Sequence, residues 1–279
     1  MIDKRMGAIM AEDGAMNVAW WGSQDIGSIC ARARVLAFDL DNTLALSKTR
    51  MDQTMAVHFA ALTRLRPVAI VSGGRFSQFR DQVLDALPDD TRFDQLHLMP
   101  TSGTRYYRWQ DGSWNCVYAH DLSAQDRQAA EASLERRAKQ LGDWEDQVWG
   151  PRIEDRGSQI TFSALGQQAP VEAKEAWDPD NSRKDALARA VAADLPHLQV
   201  RSGGSTSVDI SAKGIDKAYA MTSLARILGV EVGQIAFVGD RMDPDGNDYP
   251  AAEAGAMALR VHNPADALDL IRALEADLA

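Results

Sequence analysis

The stretch Val35 to Leu44, V-L-A-F-D-L-D-N-T-L, restricts this chain more than any other. Its four leading apolar residues predict a short strand buried on both faces, as in a parallel sheet covered by helices. Two carboxylates, Asp39 and Asp41, follow with Leu40 between them. In an extended chain, residues two apart point to the same side. Both acids would then emerge together at the carboxyl end of the strand, where open α/β sheets place their ligands. Two such carboxylates repel each other, and a divalent cation such as Mg²⁺ relieves the repulsion. An aspartate there can also act as a nucleophile while a neighbouring carboxyl moves a proton. A polar turn rich in Asp, Asn and Thr is the plainer reading of the same residues. The segments downstream weigh against it.

With 279 residues the chain has room for one large or two modest domains, and 45% hydrophobic residues can bury a sizeable core. A net charge of −10 argues against a broad nucleic-acid-binding face and against attraction to anionic membranes. No apolar run is long enough for a membrane span, and the N-terminus carries no continuous apolar segment of the secretory kind. Cys30 and Cys116, the only cysteines, have no metal-binding spacing. Two free thiols in a reducing, cytoplasmic setting are the expectation. A monomer or homodimer acting on a small molecule is expected.

Strand and helix patterns alternate after the Asp pair. Asp52 to Leu65 has helical periodicity, Val68 to Val71 reads as a second buried strand, and Phe76 to Leu87 as a helix. Between the last two lies Ser72-Gly73-Gly74-Arg75, a hydroxyl and two glycines at a helix entry, which suits an anion cradle. Leu96 to Met99 predicts a third strand. From Arg105 the texture changes. Tyr106–Trp109 and Trp114–Tyr118 flank Asp111-Gly112, a hairpin signal. Leu122 to Leu141 predicts an amphipathic helix, with Ser123 and Asp126 resembling a capping box. Strands over Gln147–Asp155 and Gln159–Leu165, a helix over Asp180–Leu195 and strands over Leu198–Arg201 and Thr206–Ile210 follow. This α+β texture predicts a domain of residues 106–210 inserted into a discontinuous core of 34–105 and 211–279. Residues 1–33 are expected as a loosely docked extension, or as one whose Trp20 and Trp21 pack on the core or on another subunit. The α/β pattern returns with a helix from Lys217 to Leu228. A strand over Ile235–Val238 then runs into Gly239 to Asp248, G-D-R-M-D-P-D-G-N-D, and a last strand and helix end the chain.

An Asp pair, a Ser, a Lys at a helix start and an acidic loop thus recur in order at strand ends. This order resembles the haloacid dehalogenase (HAD) superfamily of phosphotransferases, whose four motifs match Asp39/Asp41, Ser72, Lys217, and Asp240 with Asp248. The resemblance covers nearly all of 34–279. It implies a Rossmann-like, doubly wound α/β core with an inserted α+β cap of the IIB (C2B) type. It implies that Asp39 attacks phosphorus and that Asp41 protonates the leaving oxygen. Ser72, Gly73 and Lys217 would hold the phosphoryl oxygens, and Asp39, Asp41, Asp240 and Asp248 would hold Mg²⁺. Lys213 is the competitor for the lysine role. G-I-D-K-A-Y-A favours Lys217, which follows the turn directly.

Within that superfamily the eight-residue step from Asp240 to Asp248 resembles eukaryotic-type phosphomannomutases. Glu154–Gln167 and Ser202–Asp209 are similar to their cap segments. The likeness implies that Ser207 and Asp209 hold sugar hydroxyls, with Arg156 and Arg183 as candidate cap cations for an anionic group. Gln167 stands where the mutases carry an arginine, and Ser72–Arg75 reads closer to hydrolases. The expectation is therefore a Mg²⁺-dependent phosphatase acting on a small phosphorylated sugar or polyol through an aspartyl-phosphate. A phosphomannomutase-type mutase and a non-catalytic sugar-phosphate binding protein are the alternatives.

Overall fold

The computed structural model describes residues 8–10, 16–203 and 206–279. Gly7 and Gly14 of the N-terminal extension, and Gly204 and Ser205 of the Ser202–Asp209 segment, lie outside the described residues. In chain order the elements are β1 (Ala8–Met10), β2 (Met16–Val18), α1 (Ile26–Arg32), β3 (Val35–Phe38), α2 (Gln53–Leu65), β4 (Val68–Val71), α3 (Phe76–Gln82), β5 (Leu96–Met99), β6 (Arg105–Gln110) and β7 (Ser113–Ala119). The middle holds α4 (Ala124–Leu141), β8 (Ile153–Asp155), β9 (Gln159–Ser163), α5 (Val171–Trp177), α6 (Ser182–Asp194), β10 (Leu198–Ser202) and β11 (Ser207–Ala212). The chain ends with α7 (Lys217–Leu228), β12 (Ile235–Gly239), α8 (Tyr249–Glu253), β13 (Met257–Arg260) and α9 (Pro264–Leu278).

The chain divides into two compact units, one formed by residues up to Tyr118 together with Asp216–Ala279, the other by Ala119–Ile215. The first is built on a seven-stranded sheet of order β13-β12-β3-β4-β5-β6-β7. Pairing is parallel from β13 through β5 and turns antiparallel at β6. All four residues of β3 are buried, because alternate side chains enter separate cores on the two faces. Leu36 and Phe38 pack with α2 and α9, while Val35 and Ala37 pack with α7 and α8. This is a Rossmann-like, doubly wound α/β sheet. Its strands are short, so their carboxyl ends bring several loops to one edge.

The hairpin of β6 and β7 lies in this sheet and not in the inserted unit. His97 pairs with Arg108 and Leu98 with Tyr107, extending the sheet past β5. The expected boundary near 106 therefore moves to about 118. A hairpin signal reports local pairing only; Tyr106, buried and hydrogen-bonded through its hydroxyl to His97 of β5 at 2.7 Å, decides the sheet to which it belongs. Residues 18–32 of the N-terminal extension also pack on the core. The ring nitrogens of Trp20 and Trp21 donate to Asp266 at 2.9 and 2.6 Å, and Ile26 and Ile29 of α1 pack on the core cluster that α9 helps to form.

The second unit has a four-stranded antiparallel sheet of order β10-β11-β9-β8. Ile160, Phe162, Val208 and Ile210 point to one face and pack with Leu134 and Ala138 of α4 and Leu187 and Val191 of α6. Ser123 caps α4, its hydroxyl accepting the Asp126 N–H at 3.0 Å. The segment 147–152, expected in the first cap strand, is irregular, and α5 is an element the sequence pattern did not announce.

Candidate active site

β3 and β12 are neighbours in parallel register, Phe38 opposite Val238. Asp39 follows β3 directly and Asp240 follows β12 one position further along, so both leave the sheet at the same edge. The Asp39 N–H still donates to the Val238 carbonyl at 2.9 Å. β4, on the other side of β3, delivers Ser72. Lys217 is the first residue of α7, whose N-cap Asp216 accepts the Ala218 and Tyr219 N–H groups at 2.9 and 3.2 Å. A cation at a helix N-terminus opposes the helix dipole. The carboxylates it meets outweigh that cost.

Lys217 Nζ donates to both Asp39 Oδ1 and Asp248 Oδ1. All three side chains are buried, with Lys217 2%, Asp39 4% and Asp248 0% exposed. Burial pushes Asp39 well above the usual carboxylate range; Lys217 draws it back, and Asp248 and Asp240 add to the rise. Burial disfavours the Lys217 ammonium, but Asp248 and Asp39 outweigh it and hold the lysine charged. Asp240 is raised to about 6 by burial and by Asp248.

The acidic loop is folded so that Asp248 returns to its own start. Asp248 Oδ2 accepts the Arg241 N–H at 3.0 Å, and the Asp248 N–H donates to the Arg241 carbonyl at 3.1 Å. Two glycines permit this. A Cβ on Gly239 would lie 2.4 Å from Asp248 Oδ2, and one on Gly246 would lie 2.0 Å from the Arg241 carbonyl oxygen. The eight-residue step visible in the sequence is thus the length of loop needed to bring Asp248 back beside Asp240.

One oxygen each of Asp39, Asp240 and Asp248 lies within 4.8 Å of the others. Three carboxylates facing one ammonium leave negative charge uncompensated in a buried place, and a hard divalent cation with oxygen ligands suits such a donor set. The residues therefore fit Mg²⁺. Asp41 does not join them. Its carboxylate accepts the Lys48 N–H at 3.0 Å, the Gln78 amide at 3.1 Å and the Gln82 amide at 3.4 Å. The expectation that Asp39 and Asp41 point together assumed an extended chain. The strand ends at Phe38, and Leu40 begins a turn whose carbonyl accepts the Leu44 N–H at 2.9 Å, with Asn42 at φ 61°. That turn directs Asp41 toward α3.

Ser72 is buried, its hydroxyl accepting the Gly74 N–H at 3.1 Å. A Cβ on Gly73 would touch nothing within 4 Å, so crowding does not require glycine there. The loop that follows β5 holds this segment. The Thr101 N–H donates to the Gly74 carbonyl and the Ser102 N–H to the Ser72 carbonyl, both at 2.9 Å. Thr101 and Ser102 have φ of 50° and 54°. Left-handed backbone at a β-branched residue costs on the order of 1–3 kcal/mol and clusters at functional sites. Gly103 then packs on α7, where an added Cβ would lie 2.9 Å from that of Ala220.

In the second unit, Ser207 stands opposite Ser163 and Asp209 opposite Thr161. Thr161 donates its hydroxyl to Asp209 at 2.7 Å, and Gln159 donates its amide to Thr161 at 3.1 Å. Gln159, Thr161 and Ser163 thus share the polar sheet face with Ser207 and Asp209. The Q-I-T-F-S alternation in the sequence carries that signal. Arg183 is not disposed as a ligand-binding cation. It stacks on Trp177, 4.1 Å from the ring centre, and donates to Asp143 at 2.9 Å, to Glu145 at 3.1 Å and to the Gly142 carbonyl at 3.1 Å. Only tertiary packing brings these acids to it. Arg156 pairs with Glu154 at 2.7 Å, both side chains largely buried.

A doubly wound core with carboxylates at its strand ends and a lysine opening α7, together with an antiparallel α+β insertion, has the haloacid dehalogenase fold, and the chain is an enzyme of that type. Within that class the sequence is similar to eukaryotic phosphomannomutases, the family so described matching residues 147–276. A probable phosphomannomutase of Caenorhabditis elegans is 24% identical over 246 residues, 83% of this chain and 91% of that protein. The phosphomannomutase of Encephalitozoon cuniculi is 26% identical over 222 residues, 77% of this chain and 82% of that protein. Among solved structures, an IMP-nucleotidase mutant of Plasmodium falciparum with bound IMP superposes with a TM-score of 0.68 at 14% identity, over 90% of this chain and 69% of that one. The trehalose-6-phosphate phosphatase of Aspergillus fumigatus gives 0.54 at 13% identity, over 90% and 96%. No helix among the described residues is long and apolar enough to cross a membrane.

Proposed function

We propose that this protein is a Mg²⁺-dependent phosphatase of a small phosphorylated sugar or polyol. The carrying observation is the buried group of Asp39, Lys217 and Asp248 with half-buried Asp240 beside it at one sheet edge. In this reading Asp39 Oδ attacks phosphorus, the bond to the sugar oxygen breaks, and Asp41 gives that oxygen a proton. Water then attacks the aspartyl-phosphate while Asp41 takes its proton, and inorganic phosphate leaves with Asp39 restored. Lys217 and Ser72 stabilise charge on the transferring oxygens, the main task in phosphoryl transfer. Asp39, Asp240 and Asp248 would hold Mg²⁺, which supplies further neutralisation of the phosphoryl oxygens when bound. Residues 119–215 form the cap, with Ser207 and Asp209 assigned to sugar hydroxyls.

Hydrolysis is favoured over mutase chemistry by the cap cations. A mutase must hold a bisphosphate in two orientations. Position 167 is a neutral glutamine, Arg183 is committed to Asp143 and Glu145, and Arg156 is paired with Glu154. The similarity to phosphomannomutases over 147–276 supports the mutase reading. The deciding experiment is a panel of sugar and polyol monophosphates with and without Mg²⁺. Metal-dependent phosphate release, lost in Asp39→Asn, is expected. Interconversion of mannose 1- and 6-phosphate that requires a bisphosphate activator would instead establish the mutase.

A further inference from the structure

We propose that Gln78 and Gln82 of α3 are positioning residues for Asp41, fixing its carboxylate outside the carboxylate cluster for proton transfer to the leaving oxygen. The inference rests on the reading of Asp41 given above.

The geometry has three parts. Gln78 and Gln82 are four residues apart and so share a face of α3. Gln78 Nε2 donates to Asp41 Oδ2 at 3.1 Å, and Gln82 Nε2 reaches Oδ1 at 3.4 Å. Each carboxylate oxygen is therefore tied by its own amide, and the Lys48 N–H adds a third donor on Oδ1 at 3.0 Å. Gln82 is itself fixed from elsewhere. Its amide also donates to the Thr49 carbonyl at 3.0 Å. Both partners of that nitrogen are acceptors, which settles which end of the amide faces them. Gln82 Oε1 is consequently buried with no hydrogen-bond partner among the described residues, an unfavourable arrangement that packing alone does not require.

Gly74 supplies the space for Gln78. A Cβ there would lie 2.3 Å from Gln78 Oε1. The Ser72–Arg75 turn thus serves two elements, presenting Ser72 and letting Gln78 cross toward Asp41. Neutral amides orient a carboxylate without the competing charge that a lysine or arginine would bring.

The placement suits an in-line displacement. The attacking oxygen of Asp39 and the leaving oxygen stand on opposite sides of phosphorus, roughly in line. A proton donor to the leaving oxygen stands a further hydrogen bond away, about 2.7 Å. Such a donor must lie outside the group of oxygens that surrounds Asp39, and Asp41 does. A general acid contributes on the order of 10²–10⁴-fold, and most where the leaving oxygen is a poor leaving group.

The test compares kcat/KM, which covers the first phosphoryl transfer, for mannose 6-phosphate and for p-nitrophenyl phosphate. The sugar alkoxide needs a proton and the nitrophenolate does not. Gln78→Met and Gln82→Met, singly and together, remove the donors and keep the volume. The expected result is a loss about tenfold or more greater on the sugar phosphate than on the nitrophenyl ester. Equal losses on both, or no loss, would overturn the inference. If buried Gln82 does not tolerate substitution, as circular dichroism melts would reveal, Gln78→Met alone carries the comparison. Asp41→Asn in parallel separates the two levels. Its retention of sugar-phosphate turnover defeats the reading of Asp41, whereas an inactive Asp41→Asn beside wild-type glutamine variants defeats only the positioning role.

Discussion

Lys217 and Asp39 stand 178 positions apart in the chain, and the buried ammonium of one donates to the carboxylate of the other. The same ammonium donates to Asp248. Lys217→Ala would leave two buried carboxylates without their shared cation. Breaking a buried ion pair by removing one partner costs about 3–5 kcal/mol. Urea unfolding of the variant is expected to show a loss of that order, together with loss of turnover. A stability within about 1 kcal/mol of wild type would mean that Lys217 does not hold these carboxylates in solution.

Asp240, raised to about 6 by burial and by Asp248, must be ionised to serve as a metal ligand. Above pH 6 it is a carboxylate; below, a proton competes with the cation. Mg²⁺ affinity measured by calorimetry is therefore expected to weaken as pH falls from 7.5 to 5.5. The limit is about tenfold per unit once below pH 6, for a single proton. Equal affinities at both pH values would remove Asp240 from the metal set.

His97 is buried beside Tyr106 and Arg108, and burial, then the Arg108 charge, lowers its pKa to about 3. The folded state thus resists a proton that the unfolded chain accepts near 6.5. Stability is full above pH 6.5 and is lost as pH falls from there toward 3, with a slope of at most about 1.4 kcal/mol per pH unit from this group. Unfolding midpoints between pH 7 and 4.5 are expected to fall less steeply in His97→Gln than in wild type. Parallel curves would contradict this assignment.

Arg183→Ala is expected to weaken the cap rather than phosphate binding. Burial already raises Asp143, and Arg183 is the cation that restrains it. Losing hydrogen bonds to charged groups costs about 1.5–3 kcal/mol. A lowered melting temperature with KM for the preferred sugar phosphate within about twofold is the expected pattern. A large rise in KM at unchanged stability would return Arg183 to the substrate.

Much of the core was legible from local pattern. Val35–Phe38, Val68–Val71 and Leu96–Met99 form strands at the predicted residues, since a short apolar run between turn signals in an alternating chain leaves few choices. The positions of Asp39, Ser72 and Asp240 after strands and of Lys217 at a helix start were legible because apolar runs mark the strands, and parallel register carries strand ends to one edge. Asp41 was misdirected because a two-residue period holds only while the strand continues. The partners of Arg183 were not legible, because the sequence does not say which acids will surround a surface-like arginine.

The sequence by itself determined the alternation of strands and helices, the strand-end position of each chemical group and the length of the loop that returns Asp248. Those follow from periodicity and chain reach, which are local. Only the tertiary structure decided that the Tyr106–Tyr118 hairpin joins the core sheet, that Asp41 turns to Gln78 and Gln82, and that the cap arginines meet carboxylates. These outcomes depend on contacts between residues distant in the chain, and desolvation and charge select such partners only once the surfaces have met.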